Sequence, residues 1–288
     1  DSDQRGAEAT ITDANGRSEI NAANVTIDGF NFEFGEQAIR SGGGVDSLIT
    51  NSRFELTDST SNGYAIRAEE SSTGIDVTDN LFTGITSNDG TGGDNANGVV
   101  VRDPNGTRIA GNNFSSVDTA VNIGSKSDDT ESGTVSVENN EFSGITQFGA
   151  VLVNNPDTSL DVDVNNNTIQ SSEVGVFTFN ADDQATFSIQ DNDFQNFAND
   201  EVFVDDQAGV LTLDDVLNTQ GNTFDSNVIA NDTLIFPSNP TASVEVNAVA
   251  AGDQSVTADI NFSRTAGGNV TLDVRDSSDN SITDQLIS

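Results

Sequence analysis

Three arginines stand at matching points of the chain and form the first group able to do chemistry. Arg40, Arg67 and Arg102 follow the aliphatic runs Ala38-Ile39, Ala65-Ile66 and Val99-Val100-Val101. If those aliphatics point inward, the guanidinium groups point outward and stack. Just upstream lie two long insertions, 57–63 and 86–97, and the only tyrosine, Tyr64. Insertions gathered on one face of a repeat array commonly rim its binding surface. Three arginines and a tyrosine there would suit an acidic or neutral sugar, through forked hydrogen bonds and ring stacking. The competing reading is a charge ladder neutralised by Glu36, Glu69, Glu70 and Asp103. A second group is Asp182-Asp183-Gln184-Ala185, echoed by Asp205-Asp206-Gln207-Ala208. Four stacked carboxylates would suit Ca2+ or Mg2+, which take oxygen ligands; the alternative is solvated turn carboxylates with loosely held monovalent ions. No cofactor is required by any motif. With no His and no Cys, imidazole and thiolate metal sites and His-based triads are excluded.

These residues are carried by an internal repeat. Phe32, Phe54, Phe82, Phe114, Phe142, Ile169, Phe194 and Phe224 recur at spacings of 22 to 32 residues. Two residues before them stand Asn80, Asn112, Asn140, Asn167, Asn192 and Asn222, with Phe30 and Ser52 as exceptions. One residue earlier come Gly29, Asn51, Asp79, Gly111, Asn139, Asn166, Asp191 and Gly221. These types tolerate a left-handed backbone, which a sharp corner between strands requires. Five residues before the anchors lie Ile27, Ile49, Val77, Ile109, Val137, Val164 and Ile189, so alternate residues point inward.

Each repeat therefore reads as strand, Asn corner, short strand with Phe, loop, strand and turn. One such coil cannot bury its inward face alone; stacked coils form continuous apolar columns. Asn stacked at the corners can hydrogen-bond along the axis. The expectation is an all-β chain: a right-handed parallel β-helix of about eight coils over 1–236, roughly 38 Å long at ~4.8 Å per coil. Residues 237–288 lose the register and read as three or four antiparallel strands, a small sandwich-like segment. An immunoglobulin-like sandwich needs about seven strands. Such a half-domain would be completed on its own rod, by more chain or by a neighbour, and the reading favours the neighbour.

The pattern resembles the pectin-lyase-like family of right-handed parallel β-helix repeat proteins over residues 7–236. The resemblance implies fold and is nearly silent on activity, because that fold hosts lyases, hydrolases, epimerases, tailspikes, adhesins and inert rods. It implies two enzymatic mechanisms, an Arg or Lys base beside calcium-binding carboxylates, and clustered Asp for hydrolysis. The family's Asp-Pro-His epimerase motif is present only as Asp103-Pro104-Asn105, without the histidine.

Composition supplies the setting. The chain carries 47 acidic against 10 basic residues, a net charge of −37, and Lys126 is its only lysine. A hydrophobic share of 34%, with 26 Gly besides, provides enough apolar matter for a core, so the acidity does not signal disorder. In dilute buffer that charge would repel itself; at molar salt the screening length falls to ~3 Å. Asp in excess with almost no Lys resembles halophilic archaeal surface proteins, the rival setting being a calcium-saturated secreted protein of seawater or soil. Nucleic acid and anionic lipid are excluded as partners, and no apolar run approaches the ~18 residues of a membrane span. The chain begins at Asp1 and holds no Met, which reads as processing or excision from something longer. Seven N-x-S/T sequons, at Asn24, Asn105, Asn113, Asn166, Asn231, Asn261 and Asn269, are candidate glycosylation sites.

The functional expectation is an extracellular structural or adhesive protein of a halophile, a surface-layer or filament subunit that self-associates through strand edges. Its partners would be further copies of itself and surface glycans. The alternative is a carbohydrate-binding or depolymerising protein, a secreted lyase or hydrolase or a viral tailspike. One Tyr, no Trp and Phe at core positions favour the first.

Overall fold

The computed structural model describes residues 9–13, 16–57, 63–69, 72–86, 96–102, 105–124, 133–154, 160–172, 174–181, 186–195, 202–206, 221–224, 233–235, 245–247, 261–263 and 273–275. Among them there is no helix, and every strand pairing is parallel. A seven-stranded sheet runs from Thr26–Asp28 through Leu48–Thr50, Asp76–Thr78, Thr107–Ala110, Gly133–Glu138 and Leu160–Asn165 to Thr186–Gln190. A fifteen-stranded sheet holds the other two strands of each repeat. Its arms merge where Asn113–Gly124 and Glu141–Asn154 run without a break through both. Strands one repeat apart are neighbours throughout, so the sheets curl in a manner compatible with a β-helix or other solenoid.

Register follows the anchors. Phe32, Phe54, Phe82, Phe114, Phe142, Ile169, Phe194 and Phe224 are successive Cα partners, and Ile11 extends the row by one more. The rings from Phe32 to Phe142 stack at centroid distances of 5.0, 4.9, 4.4 and 5.0 Å. Ile27, Ile49, Val77, Ile109, Val137, Val164 and Ile189 form a second unbroken row. Both rows converge on one buried core.

The corners behave as their residue types require. All eight residues preceding the Asn position, from Gly29 to Gly221, have φ between 48° and 75°. The next residue turns inward: Asn80, Asn112, Asn140, Asn167 and Asn192 are at most 2% exposed. Each of these Asn amides donates one bond to the next rung's Oδ1 and another to a strand carbonyl of the preceding repeat. Asn140, for instance, donates to Asn167 Oδ1 at 3.0 Å and to Ile109 O at 2.9 Å. Its own Oδ1 accepts from the backbone N and the Nδ2 of Asn112 at 2.9 and 3.0 Å. Every buried polar atom of the rung is satisfied, which makes a polar column tolerable in an apolar interior.

A third column consists of small residues, Ala38, Ala65, Gly98, Ala120 and Ala150, on the strands facing the Phe stack. Gly98 has no room for more: a Cβ would lie 2.6 Å from the Ala120 carbonyl oxygen and 2.8 Å from the Phe114 ring. The carbonyl belongs to a paired strand and cannot retreat cheaply. Gly98→Ala is expected to cost ~1–3 kcal/mol by overpacking, read as a lowered Tm. Unchanged stability would mean the column is looser than its geometry.

The antiparallel arrangement expected of 237–288 is corrected by the strands described there. Thr233–Ile235 pairs in parallel with Asn261–Ser263, and Glu245–Asn247 with Asp273–Arg275, each across 28 residues. That separation is one repeat length, and a chain returning after one repeat runs in its original direction. The pairing also crosses the expected boundary at 236/237; the prolines at 237 and 240 lie outside the described residues.

Candidate functional site

Arg40 and Arg67 are direct Cα partners on the adjacent strands Gln37–Ser41 and Tyr64–Ala68. The row begins one strand earlier with Glu19. Two guanidinium groups side by side would repel, and Glu69 lies between them. Its Oε1 accepts from Arg40 Nε at 3.0 Å and lies 2.7 Å from Arg67 Nε. The second contact is an ion pair at short distance but off the hydrogen-bond direction, so Arg67 Nε finds no aligned acceptor. Glu19 is shared in the same way, 2.9 Å from Arg17 and 3.8 Å from Arg40. The result is an alternating run, Arg17, Glu19, Arg40, Glu69, Arg67.

Tyr64 joins this run. The Arg67 guanidinium carbon sits 5.6 Å from the centre of its ring, within cation–π range. Arg102 is offset. Val101 is the partner of Ala68, and Arg102 N donates to Ala68 O at 2.8 Å, which brings Arg102 opposite Glu69 and not Arg67. Its Nε is buried without a hydrogen-bond partner. The position opposite Arg67 is Val100, and the row continues through Asn122 and Leu152 to Phe177. The charged patch is thus bounded by a change to mostly apolar side chains. Of the other expected neutralising residues, Glu36 contributes its carbonyl to Tyr64 N, while Glu70 and Asp103 lie outside the described residues.

Arg17's hydrogen bond to Glu19, helped by Asn21, holds the Glu19 carboxyl below its usual range. A depressed carboxyl favours the folded state above its ordinary pKa, and that contribution is lost as pH falls through the lowered value. The side chain is well exposed, so the effect on stability is small.

The described part holds one of the two acidic pairs. Asp182 and Asp183 lie outside it; Asp205 and Asp206 close the strand Val202–Asp206 as partners of Phe179 and Ala181. Among the described residues no group of three or more carboxylates could hold a metal ion. One buried acid was not anticipated from the sequence. Asp118, 2% exposed, sits at a register shift between Val117 and Thr119. It accepts from Thr146 Oγ1 at 2.7 Å and from Ala96 N at 3.3 Å, anchoring the end of the 86–97 insertion. The only signal was an acid between strand residues.

The sequons differ in how far their amides are committed. Asn24 and Asn105 are exposed at turns. Asn113 donates to Glu141 Oε2 at 3.1 Å, and Asn166 donates to Asn139 Oδ1 in the preceding corner. Asn261 begins a strand; Asn231 and Asn269 lie outside the described residues.

Fold and site together define a chain of stacked parallel β repeats whose outward arginines are largely paired with glutamates. No protein-family model matches the chain, and no curated protein does.

Proposed function

We propose that the chain is a right-handed parallel β-helix of about eight coils that serves as an extracellular structural or adhesive subunit of a halophile's surface layer or filament. The handedness rests on the rule that parallel crossover connections are right-handed in about 98% of cases. The observation that carries the structural role is the commitment of Arg40 and Arg67 to Glu19 and Glu69. The basic groups best placed for chemistry act as rungs of a ladder. The net charge of −37 accords with a surface bathed in concentrated salt. Asn24 and Asn105 are the sequons best placed to carry glycans, and the Asp182–Asp183 and Asp205–Asp206 pairs would take Ca2+ or Mg2+.

The test is sedimentation and electron microscopy of the protein in ~2 M salt, where its charge is screened. Concentration-dependent polymers or sheets are expected; a monomer at every concentration would remove this reading. A second reading, carbohydrate binding, is favoured by Tyr64 beneath Arg67 and by the unpartnered Arg102 Nε. Its signature is glycan-array binding abolished by Tyr64→Ala.

A further inference from the structure

One inward side chain of the seven-stranded sheet has no use inside the fold. Thr107 is the Cα partner of Val135, and Val135 of Val162. On its other side Arg108 N donates to Ile75 O, which sets Thr107 beside Ile75. Ile75, Val135 and Val162 are at most 1% exposed and Thr107 is 2% exposed. The Thr107 Oγ1 is buried without a hydrogen-bond partner. Another hydroxyl of this row, Ser47 Oγ, is fully engaged: it accepts from Val25 N at 3.3 Å and donates to Val45 O at 3.4 Å. An unpaired hydroxyl in an apolar row lowers stability where a valine of the same shape would not. The reason for Thr107 therefore lies outside the folded repeat.

Thr107 closes the sequon Asn105-Gly106-Thr107, whose Asn is an acceptor for a glycan. Asn105 and Gly106 are exposed in a turn whose backbone is held between repeats. Asn105 O accepts from Gly74 N at 2.9 Å, and Gly106 N donates to Thr134 O at 3.0 Å. The fold thus turns Asn105 to solvent and the hydroxyl of Thr107 to the interior. Two other sequons show no such conflict. Ser115 Oγ donates to Thr83 Oγ1 at 3.2 Å, and Thr168 is half-buried beside the inward Ile169. We propose that Asn105 is an N-glycosylation site modified before its repeat folds, and that the hydroxyl of Thr107 serves that step. A transferase that reads the hydroxyl beside the amide needs both on one unpaired segment, and in the folded chain Thr107–Ala110 is paired on both edges. The donor is a sugar carried on a lipid phosphate. A bond forms between Asn105 Nδ2 and the anomeric carbon, and the bond from that carbon to the phosphate oxygen breaks. The phosphate leaves with the electron pair, and the amide nitrogen gives up one proton. This rests on the extracellular part of the reading above and adds when the sugar is attached.

The test exports the full chain, behind a cleavable leader, from a salt-adapted cell that holds an N-glycan transferase. Peptide mass spectrometry then reads Asn105. The unaltered chain and Thr107→Ser are expected to carry sugar there, and Thr107→Val none. Made in cells without the transferase, Thr107→Val should melt ~2–4 °C above the unaltered chain. The folded, sugar-free chain, given transferase and lipid-linked donor afterwards, should gain at least tenfold less sugar at Asn105 than chain supplied with both during synthesis. No sugar on Asn105 of the exported chain overturns the proposal, and so does equal transfer after folding. A Thr107→Val protein that melts lower, or does not fold, would show that the hydroxyl serves the fold and would overturn its assignment to the transferase. The leader forces export, so failure here leaves the surface-subunit reading standing. Failure of that reading in sedimentation likewise leaves the result at Asn105 untouched.

Discussion

Replacing Asn140 with Ala is expected to destabilise the protein by ~3–5 kcal/mol, at ~1–3 kcal/mol per buried polar group left unsatisfied. Asn140 lies in the middle of the Asn column and takes part in four side-chain hydrogen bonds. Without its oxygen, Asn112 N has no acceptor inside a corner that excludes water; without its amide, Ile109 O loses a donor. Asn140→Asp keeps the shape and the acceptor but cannot donate to Ile109 O, so it should also be destabilised. Asn105→Ala, at an exposed turn, should change stability by no more than ~0.5 kcal/mol. Denaturant unfolding monitored by circular dichroism measures all three. An Asn140→Ala protein within ~1 kcal/mol of the unaltered chain would show that the Phe and Ile rows hold the corner without the ladder.

The second large effect concerns salt. With 47 acidic and 10 basic residues, the folded chain concentrates negative charge. Glu33 and Glu55, for example, are direct cross-strand partners, and among the described residues Arg53 is ion-paired with Glu55 and not with Glu33. Like charges at that position repel until ions screen them. Lowering ionic strength from ~1 M to ~0.1 M lengthens the screening distance from ~3 to ~10 Å, so repulsion that was cut off within one ~4.8 Å strand spacing reaches across about two. A cooperative β spectrum is expected in ~2 M salt and its loss in dilute buffer, with recovery on adding divalent cations if the acidic pairs bind them. An unchanged folded spectrum without salt or metal would overturn the halophilic reading.

The corner chemistry was legible because it is local. A left-handed residue followed by an inward Asn is written in two adjacent positions, and Gly29, Asn51, Asp79, Gly111, Asn139, Asn166, Asp191 and Gly221 all adopt positive φ. The alternation that sets Ile49, Val77 and Ile109 in one row is a property of any strand. Where the corner signal fades, so did the reading. Ile11 stands in the Phe row without an Asn two residues before it.

The arginine patch shows what required the third dimension. Counting back from the end of each aliphatic run aligned Arg102 with Arg67. The true landmark is the small residue beneath the Phe stack: Ala38, Ala65 and Gly98 occupy equivalent places, so Val99 and not Val101 matches Ile66. A glycine in an alanine's place hides that landmark, and only packing against Phe114 reveals it. That Glu69 would be shared by Arg40 and Arg67 depended on this register as well. The sequence by itself determined the all-β parallel repeat, its corners and its apolar rows, because these follow from residue types at short, regular spacing. The tertiary structure decided which charges meet, where Asp118 anchors the insertion, and that the strands described between 233 and 275 pair in parallel. Loops of unequal length separate those groups, and only hydrogen bonding between repeats sets their register.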